Sequence, residues 1–189
     1  MRCFISINLA DNLKREIGTA TETLRKSGSD VKWVTVENLH ITLKFLGEIH
    51  EDLIPAVKER LSQVCLSHPP SEVKLYGAGI FPDSKRPRVI WLGLKDSDRL
   101  KKLQADVEDS MATLGFEKEG RGFSPHLTIG RVRSMTGKGP LTRAVGTLKD
   151  KDFGNIEVKR ISLMKSELRR DGARYAPVAE FDLKNEEGR

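Results

Sequence analysis

His40-Ile41-Thr42-Leu43 has a counterpart later in the chain, His126-Leu127-Thr128-Ile129, and in both segments a histidine and a threonine alternate with branched apolar residues. In an extended strand successive side chains point to opposite faces. Each histidine therefore shares a face with the threonine two residues on, while the apolar residues point the other way. The two segments predict two strands, each with one polar, reactive side and one side buried in a core.

The two motifs lie 86 residues apart in a chain of 189 residues, as an internal duplication would place them. Around each motif the pattern predicts strand, helix, motif strand, helix and strand. The pseudo-repeats span about 1–82 and 86–167, and a closing strand follows at about 174–183. The same offset aligns Cys3-Phe4-Ile5 with Val89-Ile90-Trp91. One bilobal domain over residues 1–189 is preferred to two independent ones, because no long linker separates the halves.

Apolar spacing and turn signals predict the individual elements. Strands are expected at about 3–9, 38–46, 72–81, 89–92, around the second motif, 156–164 and 174–183, with helices carrying Leu13–Leu24, Ile54–Val64, Leu100–Leu114 and Ala144–Leu148. Asp171-Gly172 is a turn signal before the last strand.

The composition is that of a well-solvated basic protein with enough apolar residues for a core. Hydrophobic residues make up 38% and charged residues 32%, and the 33 Lys+Arg against 27 Asp+Glu give a net charge of +6. This charge favours an anionic partner, but a solvated surface that leans basic explains it equally well. Basic clusters that could follow an RNA backbone occur at Lys85–Arg88, Arg131–Arg133 and Arg169-Arg170.

Cysteine usage and hydropathy predict a soluble, unprocessed cytoplasmic protein. Cys3 and Cys65 lack the spacing of a disulfide framework, which favours a reducing compartment. The N-terminus has no long apolar run with a cleavage site, and nothing approaches the roughly 18 apolar residues of a membrane span. No membrane association is expected.

Two histidines facing one cleft could act as a general acid and a general base, because histidine both accepts and donates a proton near neutrality. Each such role is typically worth about 10²- to 10⁴-fold in rate. The hydroxyls of Thr42 and Thr128 could donate to phosphate oxygens, where transition-state charge collects. The alternative for both threonines is a strand-favouring role only.

Strand parity suggests further site residues. Lys44 falls on the face of His40, and Ser124 falls on the face of His126 if that strand extends so far. The alternatives are a Lys44 ammonium that reaches solvent and a Ser124 that serves only the turn before Pro125. Arg131 has the opposite parity and would point away from the cleft unless Gly130 hosts a bulge.

A metal centre is not predicted. The chain has no His-Glu-x-x-His motif, cysteine pair or histidine-rich tract, and His50 and His68 are interpreted as loop histidines. Neither a metal nor another cofactor is expected.

The two motifs and their contexts, Asn38–Gly47 and Phe123–Arg131, resemble those of the 2H phosphoesterase superfamily, in particular its RNA 2′,3′-cyclic phosphodiesterase branch, also named 2′-5′ RNA ligase. The likeness covers nearly the whole chain. It implies an α+β fold in which two antiparallel sheets line a central cleft and helices pack on the outer faces. It also implies metal-free chemistry, with His40 as proton donor, His126 as proton acceptor, and Thr42, Thr128 and Arg131 holding the phosphate.

On this resemblance the expected reaction opens a 2′,3′-cyclic phosphate to a 2′-phosphate. The expected partners are RNA ends of this kind, tRNA fragments among them, or cyclic nucleotides, and a monomer is expected. Two alternatives remain open: the reverse joining reaction that makes a 2′-5′ linkage, and a non-catalytic module that binds RNA or nucleotides.

Overall fold

The computed structural model describes residues 1–169 and 172–184, and its strands form two antiparallel sheets. The strands are β1 (Arg2–Asn8), β2 (Val31–Trp33), β3 (His40–Glu48), β4 (Ser71–Phe81), β5 (Val89–Lys95), β6 (His126–Val132), β7 (Asp152–Val158), β8 (Arg160–Arg169) and β9 (Gly172–Asp182). The α-helices are α1 (Asp11–Ala20), α2 (Glu22–Arg25), α3 (Ile54–Leu66), α4 (Asp98–Ala112) and α5 (Lys138–Gly146), with short 3-10 turns at Val36–Asn38 and Glu51–Leu53. Asp171 of the predicted turn and Arg170 of the basic cluster lie outside the described residues.

Each half of the chain gives its last strand to the sheet of the other half. The first sheet has the order β3-β1-β8-β9 and the second has the order β2-β6-β5-β4-β7. Each motif strand thus pairs with the opening strand of its own half, which in turn pairs with a strand from the other half: β8 in the first sheet and β4 in the second. The expected α+β fold with two antiparallel sheets is confirmed, and this strand exchange joins the halves.

Helices cover the faces of the sheets that carry the apolar residues. Helix α3 packs on β8, β9 and α4, while α1 contacts β7 and α5 contacts β4. The apolar residues of both motifs are buried in one continuous core: Ile41 and Leu127 at 0%, Ile129 at 2% and Leu43 at 3% exposure. The parity argument for these four residues is therefore confirmed.

Two predicted elements differ from the structure, and one observed strand was not predicted. The first helix breaks at Thr21, whose hydroxyl donates to the Ile17 carbonyl at 2.7 Å, a local bond that competes with helix continuation. The single strand predicted at 156–164 is wrong, because β7 ends at Val158 and β8 begins at Arg160 in the other sheet. The three-residue β2 was not predicted, since so short a strand gives no period to detect.

Among the described residues, no helix is long and apolar enough to cross a membrane.

Candidate active site

The two motif strands carry matching bulges. In β3, Leu43 is an extra residue between the pairs Ser6↔Thr42 and Ile5↔Lys44. In β6, Ile129 is the extra residue between the pairs Trp91↔Thr128 and Ile90↔Gly130. An extra residue reverses the alternation of side chains beyond it. Each strand therefore has its histidine and threonine on one face and returns a later residue to that face, Phe45 in β3 and Arg131 in β6.

These registers correct the internal alignment of the two halves. Phe4-Ile5-Ser6 pairs with β3, and Val89-Ile90-Trp91 pairs with the equivalent positions of β6. The 86-residue offset holds for the motif strands, but the opening strands are related by 85 residues. The predicted match of Cys3-Phe4-Ile5 is thus wrong by one residue, and Ser6 stands where the second sheet has Trp91.

Hydrogen bonds to backbone carbonyls orient both histidines. His40 Nδ1 lies 2.7 Å from the Asn38 carbonyl oxygen, and His126 Nδ1 lies 2.8 Å from the Ser124 carbonyl oxygen. Because a carbonyl oxygen only accepts, Nδ1 carries the hydrogen in each ring. Nε2 is then the nitrogen that gains or loses a proton in both histidines, as an acid and base pair requires.

The surroundings of His40 favour its neutral form. Burial lowers the pKa of His40 below its usual range, and the positive charges of Lys14 and Arg131 lower this pKa further, whereas the Asn38 hydrogen bond raises it. The Nε2 atom of His40 lies 3.0 Å from Thr42 Oγ1, so the hydroxyl of Thr42 donates to the neutral ring. Arg131 belongs to β6, so the second motif strand contributes to the electrostatics of the first motif histidine.

Motif strands β3 and β6 contact each other between the sheets. Thr42, Thr128 and both histidines are half-buried, and Arg131 is exposed. The bulge at Ile129, next to Gly130, turns Arg131 to the face of Thr128, whereas an unbroken strand would have pointed it away. The structure thus brings together five predicted residues at the junction of the sheets: His40, Thr42, His126, Thr128 and Arg131.

The parity prediction for Lys44 is wrong. The bulge at Leu43 turns Lys44 to the core side, where its residue exposure is 3%. Its Nζ donates to Glu108 Oε2 at 2.6 Å and to the Glu117 carbonyl at 2.8 Å. Lys44 therefore reaches neither the cleft face nor solvent.

Ser124 lies outside β6, which begins at His126. The predicted position of Ser124 on the face of His126 required the strand to extend that far, and it does not. Its main-chain carbonyl, rather than its hydroxyl, contacts the site by fixing His126. Asn38 has the same backbone role for His40, and its side-chain Nδ2 donates to the Ala173 carbonyl at 2.9 Å. The sequence held a signal for this shared role, since both residues lie two positions before a motif histidine.

Aromatic rings flank both histidines. The His40 ring lies 4.9 Å from Phe4 and 5.3 Å, edge to face, from Tyr175. The His126 ring lies 5.3 Å, edge to face, from Phe81, which stacks on Trp91 at 4.8 Å. These rings limit the orientations of the imidazoles and supply apolar surface next to both histidines.

The remaining histidines lie apart from the motifs. His50 is exposed, with Nδ1 3.2 Å from Asp52 Oδ2. His68 is buried, with Nε2 2.7 Å from Asp106 Oδ2, and it lines a surface cavity that contains no motif residue. In the part of the chain that the structure describes, no three His, Cys, Asp or Glu side chains are grouped to hold a metal.

Known proteins resemble this chain over most of its length. Residues 11–170 match the model of the 2′-5′ RNA ligase superfamily. A Methanocaldococcus jannaschii protein named RNA 2′,3′-cyclic phosphodiesterase is 40% identical over 96% of this chain and 100% of its own length. A protein of the same name from Methanothermobacter thermautotrophicus is 32% identical over 97% of this chain and 99% of its own length.

Solved structures share the fold. A Thermus thermophilus protein has a TM-score of 0.82 at 24% identity, over 97% of this chain and 98% of the other. The E. coli protein LigT, crystallised with 3′-AMP, has a TM-score of 0.79 at 25% identity, with the same coverage. The two archaeal relatives bear the name of an enzyme, which confirms the prediction that this chain is an enzyme. The matched model, these relatives and the paired motifs confirm the resemblance: this chain belongs to the 2′-5′ RNA ligase superfamily of 2H phosphoesterases.

Proposed function

We propose that this chain hydrolyses the 2′,3′-cyclic phosphate ends of RNA or nucleotides to 2′-phosphates, without a metal, using His40 and His126 as acid and base. One observation carries the proposal: two bulged strands each present a histidine whose Nδ1 is tied to a carbonyl, with a threonine on the same face. The names of the archaeal relatives support the cyclic phosphate as substrate. The nucleotide bound to E. coli LigT supports a ligand of nucleotide size.

The reaction needs one proton to move at each end of the displacement. His126 Nε2 takes a proton from water, whose oxygen attacks phosphorus opposite the leaving 3′-oxygen. The bond between phosphorus and O3′ breaks, and His40 Nε2 gives its proton to O3′. The product carries a 2′-phosphate and a 3′-hydroxyl, and a second proton exchange with water restores both rings.

The assignment of donor and acceptor rests on the family resemblance. The lowered pKa of His40 works against its role as donor in the unliganded site. An anionic phosphate beside Nε2 acts in the opposite direction, because it favours the charged imidazolium. We therefore expect His40 to become protonated when the substrate binds.

The phosphate itself would be held by polar groups from both strands. Thr42 and Thr128 supply hydroxyl donors, and Arg131 supplies a guanidinium that matches the geometry of phosphate oxygens. Charge that develops on the oxygens in the transition state strengthens these bonds. Lys44 is left out of this set, because it is engaged with Glu108.

The deciding experiment is a turnover assay on a short RNA with a 2′,3′-cyclic phosphate end, with identification of the product. A 2′-phosphate formed equally fast in excess chelator supports the proposal. Loss of turnover in chelator contradicts the metal-free mechanism, and tight RNA binding without product favours the non-catalytic module. Addition of a 5′-hydroxyl RNA tests the joining reaction, since the same pair could activate a hydroxyl in place of water.

Compartment and assembly remain predictions. The free, buried thiols of Cys3 and Cys65 fit a reducing cytoplasm, and burial raises the pKa of Cys65 to about 12. Light scattering in solution would test the expected monomer.

A further inference from the structure

Two exposed cations face each other across strands β2 and β6. Lys32 lies directly opposite Arg131 in the register of these antiparallel strands. Side chains of directly opposed residues project on the same face, with Cβ atoms about 4.5–5.5 Å apart. Lys32 therefore lies on the face that carries Arg131, one strand further out, where β2 forms the edge of the second sheet.

The neighbouring side chains confirm the face of the sheet on which Lys32 and Arg131 lie. A Cβ on Gly130 would lie 2.8 Å from Val31 Cγ1 and 2.9 Å from Trp33 Cε3, so the flanking side chains of β2 occupy the opposite, inner face. Val31 and Trp33 are half-buried, while Lys32 and Arg131 are exposed. Arg131 shares its face of β6 with His126 and Thr128, so this cationic face continues to the second motif histidine.

Lys32 and Arg131 have no carboxylate partner in the described part of the chain. Within residues 1–169 and 172–184, neither side chain forms an ion pair. The neighbouring pair differs, because Arg133 donates its backbone amide to the Asp30 carbonyl at 2.9 Å and so has an acidic residue opposite it. Like charges directly opposite each other destabilise a sheet. An anion bound beside the two cations would relieve this repulsion.

We propose that Lys32, next to Arg131, binds the phosphodiester on the 5′ side of the terminal nucleoside, so that the enzyme prefers RNA ends to free cyclic nucleotides. This inference rests on the proposed function and extends it outward by one phosphate. Arg131 serves the cyclic phosphate, and Lys32 meets the next phosphate toward the edge of the sheet. A lysine suits this position, because a flexible ammonium contacts a backbone phosphate without reading the base.

The test compares two substrates that differ by one upstream nucleotide: adenosine 2′,3′-cyclic phosphate, and the dinucleotide ApA with a 2′,3′-cyclic phosphate end. The variants are Lys32→Gln, Lys32→Arg as the charge-retaining form, and Lys58→Gln as a matched control on the outer helix α3, where Lys58 is also exposed. The quantity measured is the ratio of kcat/KM for the dinucleotide to kcat/KM for the mononucleotide.

We expect the wild-type ratio to exceed one and to fall roughly three- to tenfold in Lys32→Gln, the effect of one charge-assisted phosphate contact at an exposed site. Lys32→Arg should keep the ratio, and Lys58→Gln should match the wild type. The slope of log kcat/KM for the dinucleotide against log salt concentration should fall by about one in Lys32→Gln. Relief of the like-charge pair should also raise the urea midpoint of this variant, so that lost turnover is separated from lost folding.

A dinucleotide preference that survives in Lys32→Gln would overturn the inference, since the upstream nucleoside rather than its phosphate would then supply the gain. Equal turnover of both substrates by the wild type would overturn it as well. Both results leave the proposed hydrolysis intact, whereas a wild-type protein that turns over neither substrate would contradict that hydrolysis itself.

Discussion

Lys44 of β3 and Glu108 of α4 form a buried ion pair, with 2.6 Å between Nζ and Oε2. Glu108 also accepts from Gln104 Nε2 at 3.3 Å and from the Glu119 amide at 3.4 Å. Gln104 Nε2 in turn donates to the carbonyl of the bulge residue Leu43 at 3.3 Å. This network joins the bulge of the first motif strand to helix α4 and to the loop that leads into the second motif strand.

Breaking this pair should be costly. Lys44→Met leaves the Glu108 carboxylate buried without its cation, which typically costs about 3–5 kcal/mol of unfolding free energy. The double variant Lys44→Met/Glu108→Leu should recover most of that loss, because it removes both charges. Urea unfolding gives the unfolding free energy of the wild type and of both variants. The control Lys58→Met, on the exposed face of α3, should stay within about 0.5 kcal/mol of the wild type. A Lys44→Met protein as stable as the wild type would contradict the buried pair.

Removal of either motif histidine should abolish acid or base catalysis. We expect His40→Gln and His126→Gln each to lower kcat by about 10²- to 10⁴-fold while the urea midpoint changes little. The double variant should be far from multiplicative, since the two residues act as a unit. The exposed His50, changed to Gln, is the matched control. Near-normal turnover in both single variants would refute the two-histidine mechanism.

The two threonines should act through their hydroxyls. Thr42→Val and Thr128→Val keep a β-branched side chain that suits a strand, but each removes a hydroxyl that we propose donates to the phosphate. Loss of one such donor typically costs about 10²- to 10³-fold in kcat. Thr→Ser at the same positions retains the hydroxyl and should keep most of the activity, which separates phosphate binding from a purely structural role.

His40 should titrate below the ordinary histidine range of about 6.5. Burial is the main cause of its lowered pKa, and the charge of Arg131 contributes. In Arg131→Gln the pKa of His40 should therefore rise, yet stay below the ordinary value. Nuclear magnetic resonance of the imidazole nitrogens follows this titration directly, and added phosphate should shift the pKa upward.

The same shift sets the pH dependence of stability. Well above pH 6.5, the ordinary pKa of histidine, the His40 ring is neutral in both folded and unfolded chains and contributes nothing. As the pH falls below this value, the unfolded chain binds the proton first, so stability decreases until the folded pKa is passed. His40→Gln should lose this acid-side decrease, which urea unfolding at several pH values would reveal. An unchanged acid-side slope in the variant would contradict the lowered pKa.

Gly79 should tolerate no side chain. A Cβ there would lie 2.2 Å from Trp91 Cζ2, and Trp91 is the cross-strand partner of Thr128. Gly79→Ala should therefore displace the indole, at a typical cost of about 1–3 kcal/mol, and lower turnover as well. Gly146→Ala is the control, because a Cβ at the end of α5 would meet nothing within 4 Å.

The sequence predicted the parts of the fold and site that repeat along the chain. The alternation in the two motifs correctly placed Ile41 and Leu127 in the core and put each histidine on the face of its threonine. The periodicity around Val57 and Val107 correctly predicted α3 and α4. These signals are local, so a single sequence carries them.

The failures share a different cause. The bulge at Leu43 depends on pairing with β1, so strand parity could not show that Lys44 would turn to Glu108. The break at Lys159 separates strands of different sheets, although the residues on either side have similar patterns. The position of Lys32 beside Arg131 became evident only from the pairing of β2 with β6. Each of these features is decided by a partner distant in sequence.

The exchange of end strands has a consequence for the growing chain. Strands β1 and β3 leave the ribosome early, but the next strand of their sheet, β8, begins only at Arg160. A nascent chain that ends after β7 already contains both histidine motifs, yet the open edge of β1 has no neighbour. Because all five strands of the second sheet are synthesised before β8 and β9, the second sheet should mature before the first. The first sheet, and with it the junction that holds both motifs, is thus completed only after β8 and β9 have been synthesised, and the enzyme should be inactive until then.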